Sequence, residues 1–224
     1  MRLHSVEHIT GETMRYIIMC GGTYKKWQTP KQLIEIGGEA IVARTIRLLR
    51  ENGVEDIAIS SNDKRFERFG VPMLKHDNPF VVDYDRTLSG CWVDAFYPTD
   101  EPTCYVLGDV FFSPEAIREI VETETDSIEF FASAPPFAPE YPKPWAEPFA
   151  LKVIDTDRLK SGIRNVKRLD EQKLFSRNPI MWELWTVIVG GEINTIDYGS
   201  YHAINDYTCD VDDDGDAERM AVFA

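Results

Sequence analysis

Residues 20–33 read CGGTYKKWQTPKQL and follow the apolar run YIIMC at 16–20. Gly21 and Gly22 carry no Cβ, so a phosphate can come close to their backbone N–H groups. Thr23 lies in the same turn, and Lys25, Lys26 and Lys31 add positive charge for the same anion. The stretch lacks the Gly-Lys-Ser/Thr ending of a Walker A loop and the third glycine of a dinucleotide fingerprint. Its chemistry is that of a cationic, glycine-led anion loop after a strand.

Carboxylates supply the complementary chemistry. Asp109 ends the apolar run TCYVLGD. An acid at the carboxyl end of a buried strand sits where open α/β sheets place their ligands. Asp210 and Asp212 lie in DVDDDGDAERM, an acidic turn feeding a helix. Read blandly, that turn is solvated charge with Asp216 in the helix's first turn. The four histidines form no cluster, and His76 reads as structural. The four cysteines are scattered without a C-x-x-C pair, three of them in apolar runs. Buried thiols are expected rather than a zinc or disulfide framework.

A formal net charge of −14 speaks against a nucleic-acid-binding face. It is compatible with a phosphorylated small molecule held by a local cationic loop and a bound Mg²⁺. No apolar run approaches the roughly 20 residues that span a bilayer, and the first residues lack the apolar centre of a signal peptide. A cytoplasmic location is the expectation, with residues 1–14 as an N-terminal extension.

These residues need strands and helices to position them. The run at 16–20 reads as a buried parallel strand. Residues 39–53 carry helical apolar spacing and stop at Asn52-Gly53; 56–60 is the next strand. The resulting β–loop–α–β unit implies a parallel sheet with a right-handed crossover. Further strands are expected at 103–110, 127–134, from Phe149 onward and at 192–199. Ser113-Pro114 opens a helix with a capping residue and a proline at the first helical position. Residues 85–97 also read as a helix. Six prolines between 135 and 148 exclude a regular element there. Trp and Phe mixed among them indicate an ordered connector. MWELW at 181–185 reads as core or a dimer contact.

The order IIMCGG, PKQL, IGGEAIVARTI and then a helix resembles the signature loop of nucleotidyltransferases that activate sugar phosphates and alditol phosphates. VLGDVFFS matches the family's Gly-Asp strand end, and DVDDDGDAERM resembles the acidic turn before its last helix. The resemblance implies a three-layer α/β/α, Rossmann-like fold of the GT-A type with a mostly parallel mixed sheet in one domain over 15–224. It implies Mg²⁺ on Asp109 and Asp212, with Asp210 beside them. It implies phosphate contacts from Lys31 and from Lys25 or Lys26, which stand where the family has arginine. It places the nucleotide on Gly21, Gly22 and Thr23, and its base near Ser89 and Gly90. The implied reaction transfers NMP from an NTP to a sugar phosphate or related acceptor, releasing pyrophosphate, in nucleotide-sugar synthesis for surface glycans. Residues 135–199 match nothing in the pattern and are left to acceptor binding or to a homodimer contact; Lys143, Lys152, Arg164, Lys167 and Arg168 are their candidate cations.

The attacking phosphate is already an anion, so positioning and charge neutralisation carry such a reaction. Two other readings compete. A nucleotide-sugar-dependent glycosyltransferase would use an Asp-x-Asp, for which DYD at 83–85 is a candidate. A catalytically degenerate nucleotide-binding protein would keep the fold and lose the loop's full set of groups.

Overall fold

The computed structural model describes residues 14–21, 29–77 and 91–224. Among the described residues seven strands form one sheet. Within it β1 (Arg15–Met19) is flanked by β4 (Ile57–Ser60) and β6 (Thr103–Leu107), both parallel to it. Ile17 and Ile18 are fully buried, so the continuous apolar run is covered on both faces. Beyond β4 lies the short edge strand β5 (Met73–Leu74), also parallel. On the other side, β9 (Pro148–Val153) runs antiparallel to β6 and to β8 (Ile128–Ala132). The far edge is β10 (His202–Ala203), parallel to β8. The described residues also form two small antiparallel ribbons. One joins β2 (Glu35–Ile36) to β3 (Glu39–Ala40), and the other joins β7 (Val110–Phe111) to β11 (Cys209–Asp210).

Helices cover both faces. From β9, Lys152 reaches the carboxyl end of α2 (Pro114–Glu122), donating to Val121 O and Thr123 O at 3.0 and 2.6 Å. Lys152 is opposite Glu129 in the ladder, so the next residue on β8, Phe130, points to the other face. There it meets Trp182 and Trp185 of α4 (Met181–Val189), with ring centroids 5.0 and 5.5 Å away. Helix α1 (Ile41–Glu51) packs beside α2, and α3 (Thr156–Glu171) beside α4. The result is the expected three-layer α/β/α arrangement with a mostly parallel mixed sheet. Both tryptophans of MWELW are buried within this chain. All four cysteines are buried and unpaired.

Three element expectations need correction. The helix expected from 39 begins at Ile41, because Glu39 and Ala40 pair back onto β2 through Gly37 and Gly38, both at positive φ. Of the helix expected over 85–97, residues 85–90 lie outside the described residues, and the rest makes only one 3₁₀ turn, Trp92–Ala95. Pro98 disfavours a helical Tyr97, and Tyr105 Oη donates 2.6 Å to Tyr97 O, fixing the chain against β6. The strand expected over 192–199 is a run of turns. Asn194 takes a left-handed φ of 68°, and its side chain accepts from Ser176 N and donates to Leu174 O. Extended pairing is lost there and resumes only at His202.

Candidate active site

The parallel strands β1, β4 and β6 end together, with Met19 opposite both Ser60 and Leu107. Gly21 follows this edge. Gly108 closes against it: its N–H donates to Met19 O at 3.1 Å. A Cβ on Gly108 would lie 2.6 Å from Cys20 Sγ and 2.7 Å from Met19 O. Glycine is therefore required where β6 turns, and the turn presents Asp109 beside the end of β1.

The β7–β11 ribbon brings in the other carboxylates. Asp210 pairs with Val110, and Val211 N donates 2.9 Å to Asp109 O. Asp212 follows directly. Its backbone N–H donates 2.9 Å to Asp216 Oδ2, and Asp213 caps the short helix α5 (Asp214–Met220) by accepting from Asp216 N. Opposite them Lys31 opens a 3₁₀ turn (Lys31–Leu33) after Pro30. Its Nζ bridges Asp109 Oδ2 at 3.0 Å and Asp212 Oδ1 at 2.9 Å.

A second lysine completes the cluster. Lys143, between Pro142 and Pro144, is almost fully buried. Its Nζ bonds Asp210 Oδ1 directly and lies 2.8 Å from Asp212 Oδ2, 3.5 Å from Glu147 Oε1 and 3.8 Å from Asp216 Oδ2. Asp216 also pairs with Arg219. Among the described residues, five carboxylates thus face three cations. Two negative charges are left over when all are ionised, the complement of one divalent cation.

The electrostatics follow from that excess. Burial, reinforced by the charge of Glu147 and opposed by Lys143, pushes Asp210 up to about 8. Burial likewise raises Glu147 against the pull of Lys143. Asp212 is also penalised by burial, yet Lys31 and Lys143 together hold it below the usual carboxylate range. Burial lowers the pKa values of the two lysines, but the surrounding carboxylates outweigh it and raise both. Oxygens of Glu147, Asp210 and Asp212 lie within 4.8 Å of one another. Hard carboxylate oxygens in this number suit Mg²⁺ better than a softer metal.

The structure therefore gathers Lys31, Asp109, Asp210 and Asp212, and places Gly21 at the adjoining strand edge. Gly22, Thr23, Lys25, Lys26, Ser89, Gly90 and the DYD at 83–85 lie outside the described residues. Of the cations in 135–199, Lys143 alone joins these carboxylates. Lys152 caps α2, Lys167 pairs with Asp94, and Arg164 and Arg168 are exposed. Glu147, Asp216 and Arg219 are the members that sequence reasoning missed. The signal for Lys143 and Glu147 was PKPWAEP, two charged residues set among prolines and a tryptophan, where a free linker would carry neither rigidity nor apolar bulk.

This fold is shared with proteins of known structure. A protein described as a glucose-1-phosphate thymidylyltransferase from Bacillus anthracis aligns over 94% of both chains, with a TM-score of 0.57 and 15% identity. An inositol-1-phosphate CTP transferase from T. maritima aligns over 93% of this chain and 96% of its own, with a TM-score of 0.54 and 15% identity. No curated protein matches in sequence. The MobA-like NTP transferase domain model matches residues 16–172, and the chain belongs to that family. It is a transferase of the nucleotidyltransferase type. Among the described residues no helix is long and apolar enough to cross a membrane.

Proposed function

We propose that this protein transfers NMP from an NTP to a phosphorylated sugar or closely related acceptor, with Mg²⁺, releasing pyrophosphate. The observation that carries the reading is the Lys31 bridge between Asp109 and Asp212, at the end of the strands and against a buried second cation. An ammonium held between two carboxylates marks a concentration of negative charge that also attracts a metal cation. Asp109 and Asp212 would hold Mg²⁺, with Asp210 and Glu147 beside them. When bound, the ion supplies charge neutralisation for the phosphates of the nucleotide.

The chain's own residues do the positioning. With its carboxylates engaged elsewhere, Lys31 is free to turn its ammonium to a phosphate oxygen. Lys143 presents a second fixed ammonium on the acceptor side, held by a proline on each flank. Both remain protonated throughout, because the acidic surroundings raise their pKa values. They act as fixed charges and orienters, and the attacking phosphate oxygen needs no base. Lys25, Lys26, Gly22 and Thr23 are proposed to complete the phosphate cradle, and Ser89 and Gly90 to face the base.

The test is a thermal-shift screen against CTP, UTP, GTP, ATP and TTP, each with and without Mg²⁺, followed by pyrophosphate release with sugar phosphates. One nucleotide should raise the melting temperature in a Mg²⁺-dependent way by mass action. Lys31→Ala and Asp109→Ala should each lower turnover by orders of magnitude with the fold intact. Wild-type turnover in either variant would remove that residue from the mechanism. Release of a nucleoside diphosphate from a nucleotide sugar would replace this reading with glycosyl transfer.

A further inference from the structure

Near its end the proline-rich connector carries an exposed tryptophan whose orientation is fixed. Trp145 is 54% exposed, the most open aromatic side chain among the described residues. An indole is costly to leave in water, and tryptophan is highly buried on average. Its Nε1–H nevertheless has a partner, Glu147 Oε1. That same oxygen lies 3.5 Å from Lys143 Nζ. The edge of the ring is therefore one carboxylate oxygen away from the buried ammonium, while much of its surface stays open to solvent.

The support beneath is rigid. Glu147 N donates 2.8 Å to Ser133 Oγ, and Ser133 N donates 3.0 Å to Glu147 O. Ser133 Oγ also meets Tyr141 Oη at 2.8 Å, and Tyr141 stacks on Phe137 with centroids 5.1 Å apart. A ring tied at its polar edge, backed by ordered chain and open on its apolar surface, is a stacking platform.

Resting on the proposed transfer reaction, we infer that Trp145 is the specificity-determining residue for the acceptor, and that the acceptor is the phosphate ester of a saturated ring, a pyranose or a cyclitol, rather than of an open chain. A phosphate taken by Lys143 carries its substituent toward the indole. A ring presents a flat patch of C–H groups that covers the apolar surface of Trp145 while its hydroxyls stay in water or reach the neighbouring carboxylates. An open-chain polyol offers no such flat patch and must be ordered at an entropic cost. The exposed indole is thus explained as one wall of a site completed by its ligand.

Calorimetric titration tests this on the wild type, Trp145→Phe, Trp145→Leu and Trp145→Ala. The probes are glucose 1-phosphate, myo-inositol 1-phosphate, glycerol 3-phosphate and inorganic phosphate. One of the two ring phosphates should bind the wild type more tightly than glycerol 3-phosphate does. Trp145→Ala and Trp145→Leu should weaken that ring phosphate by about 3- to 10-fold, the range of one aromatic stacking contact. Trp145→Phe should retain most of the affinity, and glycerol 3-phosphate and inorganic phosphate should be unchanged in all variants. Equal weakening of every probe, no weakening of the ring phosphates, or no preference for them in the wild type would each overturn the assignment. Absence of binding by all four would overturn it as well. Failure of the transfer reading is a separate result, namely no pyrophosphate release while the ring phosphate still binds through Trp145.

Discussion

Replacing Lys143 by methionine removes the ammonium that four carboxylates share and keeps an apolar stem of similar length. Lys143 Nζ contacts Asp210 and stands 2.8 Å from Asp212, 3.5 Å from Glu147 and 3.8 Å from Asp216. Among the described residues, the cluster would then hold five carboxylates against Lys31 and Arg219. Removing one partner of a buried pair costs about 3–5 kcal/mol, because the remaining charge stays buried. Proton uptake relieves part of that, since burial and Glu147 already raise Asp210 to about 8. A net loss of about 3 kcal/mol corresponds to a fall of roughly 6–12 °C in melting temperature for a chain of this size.

The assay is thermal unfolding of Lys143→Met beside the wild type at pH 6 and pH 8, in a chelator and in Mg²⁺. Asp210 has a raised pKa in the fold, so the folded state holds its proton more tightly than the unfolded one. Stability therefore falls as pH rises from the ordinary carboxylate range toward about 8. Without Lys143 that fall is steeper, so the deficit should be larger at pH 8 than at pH 6. Mg²⁺ should recover much of it by replacing the missing charge. A melting temperature within about 2 °C of wild type in chelator at pH 8, less than 1 kcal/mol on this scale, would refute the reasoning. A deficit independent of both pH and Mg²⁺ would show that packing, not charge, is what Lys143 supplies.

Two further expectations concern residues outside the charge cluster. Gly108→Ala should push β6 away from β1, because the added Cβ meets Met19 O at 2.7 Å. A misplacement of Asp109 by a few tenths of an ångström to 1 Å should lower turnover by up to about 100-fold; unchanged turnover would mean that the turn is not what positions Asp109. His76 is buried with its Nε2 2.6 Å from Ser60 Oγ, and burial lowers its pKa despite nearby Asp77. The unfolded chain takes up the proton first as pH falls below about 6.5, so His76 costs the fold stability on the acid side. Melting curves of His76→Asn from pH 7 to pH 5 should be flatter than wild type, and parallel curves would sink the assignment.

What the sequence alone determined is whatever its short-range physics expresses. The apolar run before Gly21 could only be a covered strand, and Ser113 with Pro114 could only open a helix; in the structure Ser113 Oγ accepts from Ala116 N at 2.9 Å. The signature order of glycines, Pro-Lys and Gly-Asp marked Lys31 and Asp109, and the acidic turn before the last helix marked Asp212 with Asp210 beside it. Where a local pattern met a non-local constraint, the pattern lost. Residues 192–199, with Ile193, Ile196 and Tyr198, read as a strand, but the Asn194 side chain bonds residues 18 and 20 positions away and turns the chain.

Only the tertiary structure decided which charges are buried together. Lys31 and Asp212 are 181 residues apart, and Lys143 is 67 from Asp210. A lysine between two prolines has the same local signature whether it is solvated or clamped by four acids. Its environment is set by β9 entering the sheet between β6 and β8, and by the β7–β11 ribbon folding Asp210 back onto Asp109. Those pairings bring together segments whose side-chain patterns carry no record of one another. Charge burial is a property of the assembled sheet, and it appears only when that sheet is in place.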